Sequence, residues 1–271
     1  MNPPIRMIAT DMDGTLLDAY GLIPMDNLRA IRKAQEKGIQ VVIASGRFPI
    51  NAFLKIQESD LKCPIMGSNG AHLTDENLRT LATHAMKKDA AQQVLDIVLR
   101  SGADCFIFQE NALCTTRLDA VHHSELSHGD KVRALGFTYF HGPEAAKEFV
   151  EAPVHKFYIC NNVPLEPIRQ DLEHVPGILI TRSGEYNIEV MPQGVDKGSG
   201  IREMAALLGI PMSQVMALGD HDNDIPMLRA AGWGVAMGNA CDAAKRAAKA
   251  VTADHRACGF ARAVEKYALA D

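Results

Sequence analysis

The sequence predicts an α/β fold: a parallel sheet flanked by helices, interrupted midway by a domain of α+β texture. Three observations carry that expectation. Short apolar runs alternate with helical-periodic segments toward both ends of the 271-residue chain, the rhythm of β-α-β units. The middle, from about residue 84 to 190, instead follows strand with strand across short turns. The apolar runs of the flanks also end in acidic or polar clusters, and an open parallel sheet gathers its ligands at the carboxyl ends of its strands.

Taken in order, the run from Ile5 to Thr10 is a short buried strand stopped by Asp11-Met12-Asp13-Gly14-Thr15. Gly14 gives that turn its freedom, and the Thr15 hydroxyl is suited to bond nearby backbone. Pro24 and Asp26 open a helix that reaches Lys37, with Leu28, Ile31 and Ala34 at helical spacing and Gly38 as its stop. Val41 to Ala44 is the next strand, running into Ser45-Gly46-Arg47, and Pro64-Ile65-Met66 leads to Ser68-Asn69-Gly70.

In the middle, Lys87 to Arg100 is helical, and a hairpin turns about Glu110-Asn111 between runs 105–109 and 113–116. Runs 154–160, 165–173, 178–181 and 186–191 then read as strand, helix, strand and strand. The flank rhythm resumes with helix 197–208, strand 215–218, helix 225–231, strand 234–236, helix 240–248 and strand 251–252. Residues 1–83 and 191–271 are thus expected to form one domain and residues 84–190 another, inserted into it.

Composition narrows the function classes. A net charge of −5 gives no basic footprint for nucleic acid and no cationic surface for anionic lipid. Six scattered cysteines (63, 105, 114, 160, 241 and 258) without a C-x-x-C pair read as reduced thiols. The first residues lack the basic flank and apolar core of a signal peptide, and no apolar run approaches ~20 residues. A cytoplasmic protein without membrane or nucleic-acid partners is expected.

Two acidic clusters stand out: Asp11/Asp13 after the first strand, and Asp220-His221-Asp222-Asn223-Asp224 after the run Val215 to Leu218. Paired carboxylates seated at a strand end can divide labour, one attacking or binding a metal while the other moves a proton. Lys197, in Gly194-Val195-Asp196-Lys197-Gly198, precedes a helix that reaches the same sheet edge. Hard carboxylate oxygens beside a lysine suit magnesium shared with a phosphate. Singly, each piece is ordinary: an Asp-x-Asp turn is usually a cap, a strand-end Ser45 bonds its own backbone, and Lys197 is a surface charge. Asp220 to Asp224 is not a calcium loop, because Ile225 and Ala231 occupy the places of the required Gly and Glu. No phosphate-binding P-loop or dinucleotide fingerprint occurs. His122, His123, His128 and His141 crowd residues 119–142 without diagnostic metal spacing, and His221 reads as a packing or edge residue.

The ordered set resembles the haloacid dehalogenase superfamily, in its Cof-like branch with a large type IIB cap. The resemblance rests on Asp11-Met12-Asp13-Gly14-Thr15-Leu16-Leu17, Ala44-Ser45-Gly46-Arg47, Lys197-Gly198, and the run from Gly219 to Leu228. Ser68-Asn69-Gly70-Ala71 and Ala236-Met237-Gly238-Asn239-Ala240 match loops of that branch. The resemblance implies a Rossmann-like core with an inserted cap, and a Mg2+-dependent phosphatase acting on small phosphorylated metabolites. By it, Asp11 forms an aspartyl-phosphate and Asp13 moves the proton. Magnesium is held by Asp11, the Asp13 carbonyl and Asp220, with Asp224 at the same site. Ser45 and Lys197 bind the phosphoryl group, and Lys197 keeps Asp11 ionised. Asn223 and Asp224 orient the metal's waters and the lysine, backbone amides of Met12 and Asp13 add donors, and Gly46 and Arg47 face substrate. A phosphomutase and a catalytically silent metabolite-binding protein are the alternatives.

Overall fold

The computed structural model describes residues 4–117, 130–184 and 186–270. Strands are numbered in chain order. The first sheet contains β1 (Met7–Thr10), β2 (Gln40–Ala44), β3 (Ile65–Gly67), β4 (His72–Thr74), β5 (Thr80–Thr83), β12 (Val215–Gly219), β13 (Trp233–Ala236) and β14 (Ala250–Val251). Their order across the sheet is β14-β13-β12-β1-β2-β3-β4-β5. From β14 to β3 every pairing is parallel, as the alternating rhythm predicts.

All four residues of β1 are buried, the mark of a parallel strand covered on both faces. Its last residue, Thr10, lies opposite Ile43 of β2 and Leu218 of β12. Three adjacent strands therefore stop at one level. The chain beyond them, from Asp11, Ser45 and Asp220, is delivered to one edge.

Beyond β3 the sheet departs from expectation, because β4 pairs with β3 in antiparallel sense. Three residues are too few for an alternating pattern to show. Helix Pro49–Gln57 was not anticipated either, since its buried set (Pro49, Ile50, Ala52, Phe53, Leu54, Ile56) wraps most of the helix and blurs the 3.6-residue period.

The chain forms two compact units, Met1–Leu81 with Asp196–Asp271, and Ala82–Val195. The division falls after residue 195 rather than 190 because β11 (Asn187–Pro192) is a full member of the second unit's sheet. That sheet runs in the order β10-β11-β9-β6-β7-β8, from β10 (Ile178–Thr181), β9 (Lys156–Cys160), β6 (Cys105–Phe108), β7 (Ala112–Thr115) and β8 (Thr138–His141). It is antiparallel except between β7 and β8. One face, with Cys105, Ile107, Phe157, Ile159, Ile188 and Val190, packs with Val94, Val98 and Ile168 of helices Lys88–Ser101 and Leu165–Leu172. His122, His123 and His128 lie outside the described residues; His141 ends β8.

The opposite face of this sheet carries a buried ion pair, Lys156 Nζ to Glu189 Oε1 at 2.7 Å, both side chains 1 % exposed. Ser183 donates its hydroxyl to the same Glu189 oxygen at 2.8 Å. Phe108 and Tyr158 flank the ammonium, 5.5 and 5.7 Å from ring centre. Glu189→Leu alone is expected to cost about 3–5 kcal/mol in urea unfolding, because it strands a buried ammonium. Lys156→Met combined with Glu189→Leu should recover most of that loss. Equal instability in the single and double variants would mean that burial of charge is not the cause.

His155, just before β9 and buried, has its pKa pushed down to about 4 by burial, reinforced by His84 and partly offset by Glu110. The unfolded chain takes up this proton near the ordinary value of 6.5, so the second unit should lose stability as pH falls from about 6.5 to 4. His155→Gln should flatten that part of the stability–pH curve. A wild-type curve without slope in this window would contradict it.

Candidate active site

Asp11 leaves β1 with its N–H still bonded to the Leu218 carbonyl, 3.0 Å away. The chain then turns through residues 12–16, where Gly14 adopts a φ of +79°. A side chain is excluded there twice over, by that backbone and by Asp220, whose Oδ2 lies 2.4 Å from where a Cβ would stand. The Thr15 hydroxyl does not bond local backbone as the sequence suggests. It donates to Asp220 Oδ1 at 2.9 Å, joining two loops far apart in sequence.

Lys197 is the first residue of helix Lys197–Leu207, whose start is fixed by Asp196: its carboxylate accepts from Ser199 N, and the Ser199 hydroxyl accepts from Asp196 N. The ammonium is wholly buried and sits 2.6 Å from both Asp11 Oδ1 and Asp224 Oδ1. Burial alone would lower its pKa; attraction to the two carboxylates outweighs that and raises it. Asp224 Oδ2 accepts from the backbone N–H of Asp220 at 2.8 Å and of His221 at 3.0 Å. One carboxylate thus fixes both the lysine and the loop that carries Asp220.

Asp11, Asp220 and Asp224 each present an oxygen within 4.8 Å of the others. One lysine cannot balance three carboxylates in so dry a place. Desolvation raises the Asp11 pKa well above the carboxylate range, and repulsion from Asp224, Asp220 and Asp13 adds to it against the pull of Lys197. Desolvation and Asp224 likewise push Asp220 up to about 7. Surplus negative charge on hard oxygen donors is the chemistry that a divalent cation relieves, so this donor set fits a metal ion.

The remaining predicted residues lie around this cluster. Asp13 points to the rim, its side chain 61 % exposed, and is gripped by Arg47 through Nε to Oδ2 at 2.8 Å and Nη2 to Oδ1 at 2.5 Å. Arg47 is thus engaged by a carboxylate. Its guanidinium pKa is raised: burial opposes, but the hydrogen bond and charge of Asp13 prevail. Ser45 is buried, and its hydroxyl accepts from Arg47 N at 3.2 Å, the strand-end bond expected of it. Met12 is buried and Gly46 follows Ser45 at the end of β2. His221 is half-buried beside Asp220.

Asn223 does not reach the lysine through its side chain. Its Nδ2 donates to Asn69 Oδ1 at 3.1 Å, and Asn69 N donates to the Ser45 carbonyl at 3.1 Å. Asn69 and Thr15 are site residues whose roles the sequence did not reveal. The legible signal at Asn69 was its turn chemistry: Asn69 has a φ of +54°, a conformation that Asn tolerates better than most residues.

Residues 8–264 match the family model of the haloacid dehalogenase-like hydrolases. The chain is 30 % identical over 267 residues to the 5-amino-6-(5-phospho-D-ribitylamino)uracil phosphatase YcsE of Bacillus subtilis, covering 98 % of this chain and 96 % of that one. It is 30 % identical over 270 residues to a phosphoglycolate phosphatase of Pyrobaculum neutrophilum, covering 96 % and 94 %. The solved structure of the subclass IIB sugar phosphatase BT4131 of the same superfamily aligns with a TM-score of 0.82 at 25 % identity, covering 98 % of this chain and 100 % of that one. A family match over nearly the whole length, with the acid and lysine motifs meeting at one sheet edge, makes this chain a member of the haloacid dehalogenase-like hydrolases, of the Cof-like phosphatase kind.

Proposed function

We propose that this chain is a magnesium-dependent phosphatase that hydrolyses small phosphorylated metabolites through an aspartyl-phosphate. The observation that supports it most is the buried meeting of Asp11, Asp220 and Asp224 around the single ammonium of Lys197. In this reading Asp11, Asp220 and the Asp13 carbonyl hold the metal. Both oxygens of Asp224 already accept hydrogen bonds, which suits it to fixing Lys197 and the Asp220 loop at the same centre. When bound, magnesium supplies the charge neutralisation that lets an anionic nucleophile meet an anionic phosphate.

The rest follows from this chain's own side chains. Lys197 orients Asp11 through Oδ1, leaving Oδ2 to attack phosphorus as the ester P–O bond breaks. The leaving alkoxide takes its proton from Asp13. Asp13 then removes a proton from the water that splits the aspartyl-phosphate, which frees Asp11 and inorganic phosphate. Of the three ammonium protons of Lys197, two are committed to Asp11 and Asp224, and the third is left for a phosphoryl oxygen. The Ser45 hydroxyl proton and the amides of Met12 and Asp13 are further donors for that group. Substrate phosphate draws Arg47 from Asp13, and the freed carboxylate takes up a proton from solvent, which it then gives to the leaving alkoxide. Relatives named for a ribitylaminouracil phosphate and for phosphoglycolate differ greatly in leaving group, which supports a small phosphorylated metabolite as substrate class.

Magnesium-dependent phosphate release from a panel of such metabolites should fall by at least about 10³-fold in Asp11→Asn, which loses nucleophile and metal ligand together. Wild-type turnover in that variant would overturn the mechanism. At pH 8 in chelator, Asp220→Asn is expected to raise the melting temperature by roughly 2–4 °C, since one of three repelling charges is gone. Magnesium should stabilise wild type and leave the variant unmoved. A variant less stable than wild type in chelator, with its magnesium response intact, would count against the shared cluster.

A further inference from the structure

The turn after β1 exposes backbone carbonyls, and three of them are taken by side chains from distant parts of the same unit. Asn239 donates Nδ2 to the Gly14 carbonyl at 2.8 Å. Asn27, wholly buried, donates Nδ2 to the Leu16 carbonyl at 2.9 Å. His255 Nδ1 lies 2.9 Å from the Leu17 carbonyl; an acceptor there requires the ring proton on Nδ1.

These donors are themselves held. Asn239 Oδ1 accepts from His255 N at 2.9 Å, and Asn27 Oδ1 accepts from Ala261 N at 3.1 Å. The loop that carries Asn239 also grips the second acidic loop, through Met237 N to the Gly219 carbonyl at 3.0 Å and Cys241 N to the Asp220 carbonyl at 2.9 Å. The stretch from His255 to Ala261 is therefore tied, through two asparagines and one histidine, to the chain after β1, and the backbone of the Asn239 loop carries the tie on to the Asp220 loop.

We propose that Asn27, Asn239 and His255 are positioning residues for phosphoryl transfer, pinning the chain from Asp11 to Leu17 at the spacing from Asp220 at which both carboxylates share one divalent cation. The inference takes its chemistry from the phosphatase reading above. Two features carry it. The turn has no slack toward Asp220, which already fills the place of a Gly14 side chain, while carboxylate oxygens of Asp11, Asp220 and Asp224 crowd within 4.8 Å of one another and repel. Asn239 is exposed, so its contribution is hydrogen bonding to the turn rather than core packing. Groups that orient metal ligands from behind typically matter by 10–100-fold, and a misplacement of about 1 Å can cost 10²-fold.

The test uses the full chain with Asn239→Ala, His255→Ala and His255→Asn; the amide of the last replaces the ring Nδ1–H. Magnesium affinity is read by titration calorimetry, alongside kcat, KM and melting temperature. Both alanine variants should bind magnesium about 10-fold more weakly and lose roughly 10–100-fold in kcat, with KM within about 3-fold of wild type. His255→Asn should recover most of both losses. Unchanged magnesium affinity and kcat in the alanine variants would overturn the proposal, as would a loss accounted for by a smaller folded fraction, or His255→Asn as impaired as His255→Ala. Wild type that binds magnesium but releases no phosphate would defeat the phosphatase reading alone, because calorimetry still decides the positioning role. Wild type that binds no magnesium would overturn both.

Discussion

A buried ammonium between two carboxylates is the interaction on which the catalytic unit turns. Lys197 could not be taken out of water without Asp11 and Asp224, and neither acid could be buried so completely without Lys197. Such an arrangement is a poor source of stability, since desolvating three ions consumes most of what their attraction returns. What it secures is position. Asp11 comes from the end of β1, Asp224 from the loop after β12, and Lys197 from a helix start, so the ion triad pins three separately folded pieces to within a few ångströms.

Around it, the structure spends its hydrogen bonds on loops rather than on side-chain ligands alone. Asp224 holds two consecutive amides, Thr15 reaches across to Asp220, and Asn223 pairs with Asn69. Fixed geometry of this kind puts the cost of bringing like charges together into the folded chain, before any ligand arrives. The excess negative charge then suits the cluster to a cation, and the same surplus makes the site a weak point of the fold.

Much of this was legible in the sequence, for identifiable reasons. The parallel strands read clearly because β1, β2 and β12 are buried on both faces and appear as unbroken apolar runs. The acid clusters read clearly because strand ends are where chemistry collects in such sheets. What stayed hidden was short, uniformly apolar or relational. The three-residue β4 has too few positions for a pattern, and the helix after Phe48 is apolar on most sides. The partners of Thr15, Asn223 and Arg47 are chosen by three-dimensional neighbours, which no local spacing encodes. Arg47 reads as a substrate contact from its place beside Ser45, yet its immediate partner is Asp13.

The central position of β1 has a consequence for how this protein is made. One flank of β1 is covered by β2, which follows within a few dozen residues. The other belongs to β12, which begins only at Val215. During synthesis this fully buried strand therefore waits with an open edge while the whole inserted unit is translated. Loop closure over that span is slow to be repaid, and an apolar unpaired edge is a site for wrong association. The nascent chain carries Asp11 early but cannot assemble the Asp11–Lys197–Asp224 cluster until the last third of the polypeptide emerges. Newly made protein thus lacks this cluster and is most in need of chaperone protection over the same interval.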